Sequence, residues 1–572
     1  MTNPTPPRHH LAAVHEAVSA RVPDRACIVF RGRRWSYAEV TARGRRLANA
    51  LHARGLGGRL HPVDGSSGHE SPHDHVAIYA HNGNEYLEAM LGAFEARMAP
   101  VNINYRYVTH ELEYVLENSR SAAIVYHSAF APTLAAVLPQ LPHLRVLLQI
   151  RDDSGNELLP GAEWYEEALA SAPATLPEWA GDWSPDDLYI LYTGGTTGLP
   201  KGVLWRHADI HRTTMGGRAP ITREPWPSLE AIADAAGALE HPTVLCPAAP
   251  FMHGSGHWVA FMGMNQGWTV VIQDVVTRLD AADLCRTVER EGVNYLQIVG
   301  DAFARPILDE LEAHPHDLSS LRTVLSGGTA LSPSLKARFM AALPHLTVID
   351  SIGSSEDGGQ GIQMTSAAGT TTSGTFTPSE GSVVVAEDLS RVLDRSDTTI
   401  GWLAKQGPDI PLGYLGDPAK SARSFPIVGG ERMSVPGDRA RWLADGAIEL
   451  LGRESVTINS GGEKIFAEEV EAAVLRHPDV YDAIVTSRPS QRWGREVVAI
   501  VRLRDGASCT EAELATVAAE HIARYKLPKA WVFVPTIQRS PAGKADYRWA
   551  ESTAAAITPD GAGSPPSLVP GP

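Results

Sequence analysis

Cysteine is scarce in this sequence of 572 residues, and the few that occur lie far apart in the chain. They are Cys27, Cys246, Cys285 and Cys509. A zinc site or a disulfide framework needs closely or regularly spaced cysteines, so the sequence favours neither. The chain also lacks a run of about eighteen apolar residues and an apolar core near its N-terminus. We therefore expect a soluble protein of the reducing cytoplasm without a transmembrane segment.

Positive charge is in deficit, with 50 Lys and Arg against 66 Asp and Glu and a net charge of −16. Proteins that bind nucleic acids usually carry a basic surface, so we expect no nucleic-acid partner. The basic cluster "FRGRRW", at residues 30–35, is too short to reverse this balance. The expected partners are small molecules. The oligomeric state stays open, a homo-oligomer being one alternative.

Histidine is abundant, with 22 residues in the chain, and several fall in the segment "LHPVDGSSGHESPHDH" at residues 60–75. The segment is rich in Gly, Ser and Pro and lacks the helical i, i+4 spacing of a zincin metal site. The composition predicts a mobile surface insertion rather than a metal centre.

Strand and helix patterns alternate along most of the chain, from residue 76 to about 128 and again from about 269 to 354. This alternation predicts an α/β fold with parallel sheets covered by helices. A β-rich subdomain is expected between about 380 and 451, and a small α+β domain after it. The expected domains are residues 1–452 and 453–550, with a disordered tail at 551–572 that is rich in Pro, Gly and Ser.

A glycine-rich stretch, "LYTGGTTGLPKGV", occupies residues 191–203 between two strand patterns. Backbone N–H groups at glycines approach anionic oxygens closely, hydroxyls add donors, and lysine supplies positive charge. The stretch predicts a long phosphate-binding loop in a hairpin, too long for an ordinary hairpin turn. It does not match the P-loop pattern, because Lys201 is followed by Gly202 rather than by Ser or Thr.

Six further polar motifs follow this stretch in order. They are "PFMHG" at Pro250, "LSGGTAL" at Leu325, "DSIGSSE" at Asp350, "PGDRA" at Pro436, "LGRESVTINSGGEKIFAEEVE" at Leu451 and "SPAGKADY" at Ser540. Together the seven motifs resemble the adenylate-forming superfamily, which includes acyl-CoA synthetases. Within it, "GDAFARP", "DSIGSSE" and "INSGGEK" are similar to actinobacterial CoA ligases that act on steroid side-chain acids. The resemblance extends from about Leu11 to Trp549.

The resemblance implies an enzyme that joins a carboxylate to ATP, giving acyl-AMP and pyrophosphate. The thiol of coenzyme A then displaces AMP to give a thioester. Adenylation brings two anions together, so the site needs cations and N–H donors around the phosphates. The expected cofactors are accordingly ATP, Mg²⁺ and coenzyme A, the last as a substrate.

The same resemblance assigns roles to individual residues. The implied catalytic residues are Lys544, Thr197, Glu356 and Lys201, and Glu356 and Thr197 would also hold Mg²⁺. Nucleotide and coenzyme A binding is implied for Thr193, Gly194, Gly195, Thr196, Gly328, Asp350, Ser355, Asp438, Arg453, Ser460, Gly461 and Gly462. The small domain would turn as a lid about Ser455, where the superfamily usually has Asp or Lys.

The acid is expected to be large and apolar, with a steroid side-chain acid favoured over a simple fatty acid. The implied substrate residues are His253, Trp258, Phe261, Gly300 and Asp301. Aromatic residues at helical spacing more often belong to the hydrophobic core. Trp258 and Phe261 could therefore line the acyl pocket or pack in the core.

Four alternatives remain at this point. The chain could be a medium- or long-chain fatty acid–CoA ligase, an adenylating enzyme that loads a carrier protein, an oxygenase of the luciferase kind, or a nucleotide-binding regulator without catalysis.

Overall fold

The structure is a computed structural model that describes residues 7–63, 69–195, 198–220, 222–367, 369, 374–453, 456–460, 463–490, 493–540 and 543–556. The chain divides into two compact units. The first comprises residues 1–450 with 541–543, and the second comprises 451–540 with 544–572. The boundary expected from the sequence lies two residues beyond the division at 450 and 451.

The N-terminal part of the first unit alternates helices and strands. Its elements are α1 (Leu11–Arg21), β1 (Ala26–Phe30), β2 (Arg33–Ser36), α2 (Tyr37–Ala53), β3 (His75–Tyr79), α3 (Asn84–Glu95), β4 (Ala99–Asn102), α4 (Thr109–Ser119), β5 (Ala123–His127), α5 (Ala131–Val137), β6 (Val146–Ile150), β7 (Glu163–Trp164), α6 (Tyr165–Ala170), β8 (Leu188–Gly195), β9 (Gly198–Arg206) and α7 (His207–Thr213).

The middle of the first unit repeats this alternation. Its elements are α8 (Leu229–Gly237), β10 (Val244–Pro247), α9 (Gly254–Asn265), β11 (Thr269–Ile272), α10 (Ala281–Glu291), β12 (Tyr295–Ile298), α11 (Gly300–Ala313), β13 (Thr323–Gly327), α12 (Pro333–Ala342), β14 (Thr347–Ser354) and β15 (Gly358–Thr365).

Short strands dominate the stretch that follows. With the short helix α13 (Pro418–Ser424) among them, they are β16 (Thr375–Pro378), β17 (Ser382–Val385), β18 (Gly401–Gln406), β19 (Gly413–Tyr414), β20 (Ile427–Val428), β21 (Glu431–Ser434), β22 (Asp438–Trp442) and β23 (Ile448–Arg453). The expected β-rich subdomain is therefore present.

Two parallel cores organise the first unit. One sheet contains the consecutive parallel neighbours β1, β11, β10, β12, β13 and β14, and it continues antiparallel into β15 and the β-rich region. The other has the order β19-β9-β8-β4-β3-β5-β6-β7. The inner strands β11 and β3, one from each sheet, are fully buried, as is usual where helices cover both faces. The prediction of helix-covered parallel sheets is confirmed.

Local sequence explains where several helices begin. Ser36 and Glu39 form a reciprocal capping box at α2, in which each side chain accepts a hydrogen bond from the other residue's backbone N–H. Asp280 accepts the N–H of Asp283 at the start of α10. Along α10 the buried Leu284 and Val288 recur at the four-residue spacing of one helix face.

The second unit is a small α+β body. Its elements are β24 (Thr457–Ser460), β25 (Glu463–Phe466), α14 (Ala467–Val474), β26 (Val480–Ser490), β27 (Gly494–Leu503), α15 (Glu511–Ala519), β28 (Ala530–Phe533) and α16 (Tyr547–Ala555). The strands β26, β27 and β28 form a sheet, and β24 pairs with β25. This composition agrees with the expected α+β class.

The glycine-rich stretch differs from the expected long loop. The strands β8 and β9 pair antiparallel as far as Gly195 and Gly198, with a register shift after Thr193. Only residues 196 and 197 separate the two strands, and both lie outside the described residues. The expectation was wrong because Gly194, Gly195, Gly198 and Gly202 are part of the two paired strands. At Gly202 a Cβ atom would lie 2.8 Å from the Tyr192 ring.

The end of the His-rich segment is also ordered differently from the mobile insertion that the sequence predicts. Residues 64–68 lie outside the described part, but His73 and His75 are both only 6% exposed, and His75 begins β3. His73 donates through Nδ1 to the Arg97 carbonyl at 3.0 Å and accepts the Leu188 N–H at 3.1 Å. These histidines therefore belong to the core, where their hydrogen bonds compensate the cost of burial.

In the part of the chain that the structure covers, no helix combines the length and the apolar character needed to cross a bilayer.

Candidate active site

Two charges singled out from the sequence lie close together in the first unit. Lys201 is in β9, and Glu356 follows the end of β14. The Lys201 Nζ and Glu356 Oε1 atoms are 4.0 Å apart, and their side chains are 21% and 12% exposed. Glu356 lies beyond the carboxyl end of a parallel strand, which is where ligands bind in open α/β sheets.

Tyr414, which the sequence motifs did not single out, contacts both charges. Its hydroxyl donates to Glu356 Oε1 at 2.8 Å, and its ring centroid lies 4.6 Å from Lys201 Nζ. Tyr414 lies in the two-residue strand β19, beside β9. A two-residue strand gives almost no periodic signal, so nothing in the sequence marked this residue as part of the site.

The ammonium group of Lys201 is partly shielded from water, and this changes its pKa. Burial and the nearby Lys420 charge together lower the pKa of Lys201 to about 8, although the Glu356 carboxylate opposes the shift. Burial and the Glu356 charge raise the pKa of Tyr414, so its hydroxyl remains a donor. A lysine that loses hydration in the free protein gains more from an anionic ligand than an exposed one does.

The turn that carries Glu356 is fixed by short hydrogen bonds. The Ser354 N–H donates to Asp357 Oδ1 at 2.6 Å, and the Glu356 N–H donates to Ser354 Oγ at 3.1 Å. The Ser434 hydroxyl donates to the Glu356 carbonyl at 2.7 Å. These contacts leave the backbone of Glu356 little freedom to move.

Asp438 begins β22, near the same turn. Asp357 is buried, and this burial, together with the charge of Asp438, raises the pKa of Asp357 to about 7. Gln360 opposes the shift by donating to Asp357 Oδ2 at 2.7 Å. Ser355 accepts the Trp205 indole N–H through its carbonyl at 2.9 Å. Asp438 and Ser355 thus lie close to the Glu356 turn.

The glycine-rich hairpin contributes Thr193, which pairs with Lys201 in register, and Gly194 and Gly195 at the end of β8. Thr196 and Thr197, both predicted site residues, lie outside the described residues. The described part of the hairpin therefore places its backbone and Lys201 on the side of Glu356.

The "PFMHG" segment is held against the carboxyl ends of β3 and β4 by two asparagines. Asn82 accepts the Phe251 N–H at 2.6 Å, and Asn102 donates to the Met252 carbonyl at 2.6 Å. His253 then occupies the N-cap position of α9. The sequence did not mark these asparagines, although an Asn at the end of a buried strand, or shortly beyond it, is a recognisable signal of a polar contact at a sheet edge.

Trp258 and Phe261, two predicted substrate residues on α9, belong to the hydrophobic core. They are 8% and 1% exposed, and the Trp258 indole donates to the Tyr189 hydroxyl at 3.1 Å. His257 lies between the Tyr189 hydroxyl and the Phe251 carbonyl. These contacts favour the core interpretation of both aromatic residues.

Gly300 and Asp301 have evident structural roles at the start of α11. Gly300 has φ +49°, and a Cβ there would lie 2.5 Å from the Ala330 carbonyl. Asp301 accepts the Ser332 N–H at 2.7 Å. The close approach of the backbone at Gly300 and the hydrogen bond of Asp301 join the start of α11 to the segment after β13. Contact with a substrate stays a prediction for these two residues.

Gly328 and Asp350 were predicted to bind nucleotide. Gly328 has φ +89°, a conformation that favours glycine. Asp350 is 3% exposed, and its Oδ2 lies 3.1 Å from Lys336 Nζ. Burial raises the pKa of Asp350 to about 6, against the opposing effect of Lys336. Asp350 thus already has a buried cationic partner.

In the second unit, the predicted residues lie on turns and strand ends. Arg453 ends β23, and Ser460 ends β24. Gly461 and Gly462 fall between β24 and β25, outside the described residues. Lys544 closes a turn in which the Ser540 N–H donates to the Lys544 carbonyl at 2.8 Å and the Lys544 N–H donates to Ser540 Oγ at 3.1 Å. The nearby Arg539–Asp482 ion pair, at 2.7 Å, anchors this turn to β26.

The donor chemistry at Glu356 is suited to a magnesium ion. Mg²⁺ prefers oxygen ligands and is usually bound by one or two carboxylates together with substrate phosphates. Among the described residues, no group of three or more His, Cys, Asp and Glu side chains could hold a metal by itself. A single carboxylate beside the glycine-rich hairpin is the donor set expected for an ion that binds together with a phosphate ligand.

Comparison with known families gives two matches in sequence. The model of the AMP-binding enzymes matches residues 15–415, and the model of the AMP-binding enzyme C-terminal domain matches residues 469–544. The two matches include Lys201, Glu356 and Lys544.

Individual relatives match over almost the whole chain. The chain is 52% identical over 542 residues to the medium-chain acyl-CoA ligase Mig of Mycobacterium avium, covering 95% of this chain and 98% of that protein. It is 40% identical over 538 residues to a 3-oxocholest-4-en-26-oate–CoA ligase of Rhodococcus rhodochrous, covering 93% of each. The crystal structure of the anthranilate CoA ligase AuaEII in complex with anthranoyl-AMP has a TM-score of 0.80 at 21% identity, covering 96% of this chain and 98% of that one. The last similarity shows a common fold.

Proposed function

Because this chain belongs to the AMP-binding enzyme family, we propose that it is an AMP-forming acid–CoA ligase. It activates a carboxylic acid with ATP, releases pyrophosphate, and transfers the acyl group from AMP to the thiol of coenzyme A. The observation that carries the proposal is the approach of Lys201 to Glu356 at 4.0 Å, beside the glycine-rich hairpin. A cation for phosphates and a carboxylate for Mg²⁺ are the two charges that adenylation needs.

In this proposal Lys201 and the hairpin N–H groups bind the phosphates of ATP. Glu356, with the hydroxyl of Thr197, holds Mg²⁺, which neutralises phosphate charge when it is bound. Asp438 accepts hydrogen bonds from the ribose, and the Ser355 side chain and the Gly328 backbone border the nucleotide. No protein nucleophile is required, since the attacking thiol belongs to coenzyme A.

The second unit contributes to the two steps in different ways. Lys544 stabilises the developing negative charge during adenylation, and Arg453 contacts the nucleotide. The segment Ser460–Gly462 accompanies the pantetheine arm in thioester formation. The match of the C-terminal family model covers Lys544 and supports its role, whereas the roles of Arg453 and of Ser460–Gly462 rest on the resemblance of their motif.

The four cysteine thiols are free, which supports a reducing cytoplasm as the compartment.

The acid that we propose is apolar. The identity of 52% to a medium-chain acyl-CoA ligase favours a medium-chain fatty acid. The identity of 40% to a ligase named for 3-oxocholest-4-en-26-oate supports a steroid side-chain acid as the second candidate. Each methylene group that the substrate buries should contribute about 0.8 kcal/mol to binding, so acetate should be a very poor substrate in either case.

A comparison of kcat/KM tests the proposal. The acids are acetate, octanoate, palmitate, an aryl acid and 3-oxocholest-4-en-26-oate, each with ATP, Mg²⁺ and coenzyme A, and the products are acyl-CoA and AMP. We expect a preference for octanoate or for the steroid acid. A preference for acetate or the aryl acid would contradict the substrate class, and release of ADP instead of AMP would contradict the reaction type.

A further inference from the structure

Lys201, Glu356 and Tyr414 come from three separate segments and meet in the first unit. Tyr414 is 2% exposed, and its hydroxyl group and its ring each contact one of the two charges. The hydroxyl contacts Glu356 at 2.8 Å, and the ring lies 4.6 Å from the Lys201 ammonium nitrogen. The same carboxylate oxygen, Oε1, is the one nearest to Lys201.

The distance between the two charges is longer than their attraction alone would give. Partly buried opposite charges attract strongly, and a direct ammonium–carboxylate hydrogen bond would shorten the distance to about 2.7–2.9 Å. Instead, the Nζ and Oε1 atoms are 4.0 Å apart, and Oε1 accepts the Tyr414 hydroxyl. The ammonium group is within the cation–π range of the ring, about 6 Å. The tyrosine thus interacts favourably with each charge while the two charges stay apart.

Tyr414 is itself held in place by its surroundings. In the pairing of β19 with β9 it lies opposite Val203, so Lys201 is its diagonal neighbour on the same face of the sheet. Its N–H donates to Ser421 Oγ at 2.8 Å, and its ring packs against Phe425 at 5.7 Å between centroids. The register of two strands therefore fixes the position of the ring and the hydroxyl.

We propose that Tyr414 is a positioning residue that keeps Lys201 and Glu356 from closing into a direct ion pair. Its hydroxyl holds the carboxylate and its ring holds the ammonium, so that the lysine remains ready for phosphate and the carboxylate for the divalent cation. This inference rests on the proposed function. It adds to that function a residue that binds neither the nucleotide nor the acid.

The test is the affinity of the protein for Mn²⁺ together with ATP, measured by electron paramagnetic resonance on wild type and Tyr414→Phe. The substitution removes only the hydroxyl and keeps the ring. Loss of a hydrogen bond to a charged group, followed by closure of the ion pair, should weaken Mn²⁺–ATP binding by about tenfold or more. In the Glu356→Gln background the same substitution should have little effect, because the hydroxyl acts through that carboxylate.

Tyr126→Phe is the matched control. The Tyr126 hydroxyl is buried and donates to Gln149 Oε1 at 2.7 Å, in β5 of the same sheet, four strands away from β9. Its loss should lower stability without changing Mn²⁺–ATP affinity. If Tyr414→Phe binds Mn²⁺–ATP as wild type does, or if its effect is unchanged in the Glu356→Gln background, Tyr414 does not act as proposed.

The binding measurement requires neither an acid nor coenzyme A. A wild-type protein that forms no thioester from any acid would refute the proposed function and leave the result for Tyr414 intact. Conversely, normal thioester formation with unchanged Mn²⁺–ATP binding in Tyr414→Phe would overturn the inference alone. If wild type itself does not bind Mn²⁺–ATP, the assignment of Glu356 as the metal ligand fails, and the inference fails with it.

Discussion

Single residues decide which charges this site can offer. Lys201, Glu356 and Asp438 were identified from motif order, because phosphate, cation and ribose each require a particular kind of group. Tyr414 and the two asparagines that hold "PFMHG" were missed, since their importance depends on contacts between segments far apart in the chain. Sequence reasoning therefore found the charged residues and missed the polar residues that contact them or the neighbouring "PFMHG" segment.

Lys544→Ala tests the role of the turn at 540–544. Removing a transition-state cation typically costs about 10²- to 10³-fold in rate. We expect a loss of this size in acyl-AMP formation, with thioester formation from supplied acyl-AMP largely intact. Single-turnover kinetics of each half-reaction are the measurement, and Lys529→Ala, an exposed lysine of the same unit, is the control. Equal losses in both half-reactions would show that Lys544 has a different role.

Phe261→Ala separates the two interpretations of α9. Phe261 is 1% exposed and lies 5.6 Å from Phe94 between ring centroids. Truncating a buried Phe usually lowers the free energy of unfolding by about 3–5 kcal/mol. We expect that loss in urea denaturation. Unchanged stability combined with a raised KM for the acid would instead place Phe261 in the acyl pocket.

At the scale of elements, the sequence predicted the alternation of strands and helices well. The periods of α3, β4, α4 and β5, and of β11 through β14, were all visible, because buried parallel strands and amphipathic helices have distinct patterns. The length of the loop in the glycine-rich stretch was overestimated, since the sequence alone does not distinguish a glycine inside a paired strand from a glycine in a loop. The His-rich segment was misjudged for a related reason: composition did not reveal that Arg97 and Ser119 would supply partners for His73 and His75.

Ser455→Pro tests the hinge. Ser455 lies outside the described residues, so its role remains a prediction from the resemblance. Proline fixes φ near −65°, which should permit one orientation of the second unit and hinder the other. We expect one half-reaction to be blocked and the other spared, whereas Ser455→Ala should retain both. Normal rates for both half-reactions in the proline variant would place the hinge elsewhere.

At the scale of the whole molecule, buried histidines make the first unit sensitive to acid. Burial lowers the pKa of His15 and His211 to about 3, and of His75, His127 and His257 to about 4. Their unfolded pKa is about 6.5, so the unfolded state binds more protons below that pH. Their contribution to stability is therefore present above pH 6.5 and is lost as the pH falls toward the folded values.

We expect the free energy of unfolding to fall by about 1–2 kcal/mol per fully buried histidine between pH 7 and pH 5. Urea denaturation at several pH values is the measurement. His15→Gln should reduce the pH dependence by that amount, whereas His110→Gln, at an exposed position, should not change it. A stability that is flat from pH 7 to pH 5 would contradict this account.

The central claim is that one site makes an acyl-adenylate and then a thioester. Rapid-quench analysis of a single turnover tests it most directly, with enzyme in excess over an apolar acid in the presence of ATP and Mg²⁺. Without coenzyme A, we predict stoichiometric acyl-AMP and pyrophosphate, with the acyl-AMP retained on the enzyme. When coenzyme A is then added, this acyl-AMP should convert to acyl-CoA and AMP at a rate no slower than steady-state turnover. Thioester formed without prior acyl-AMP, or acyl-AMP that does not react with coenzyme A, would contradict the claim.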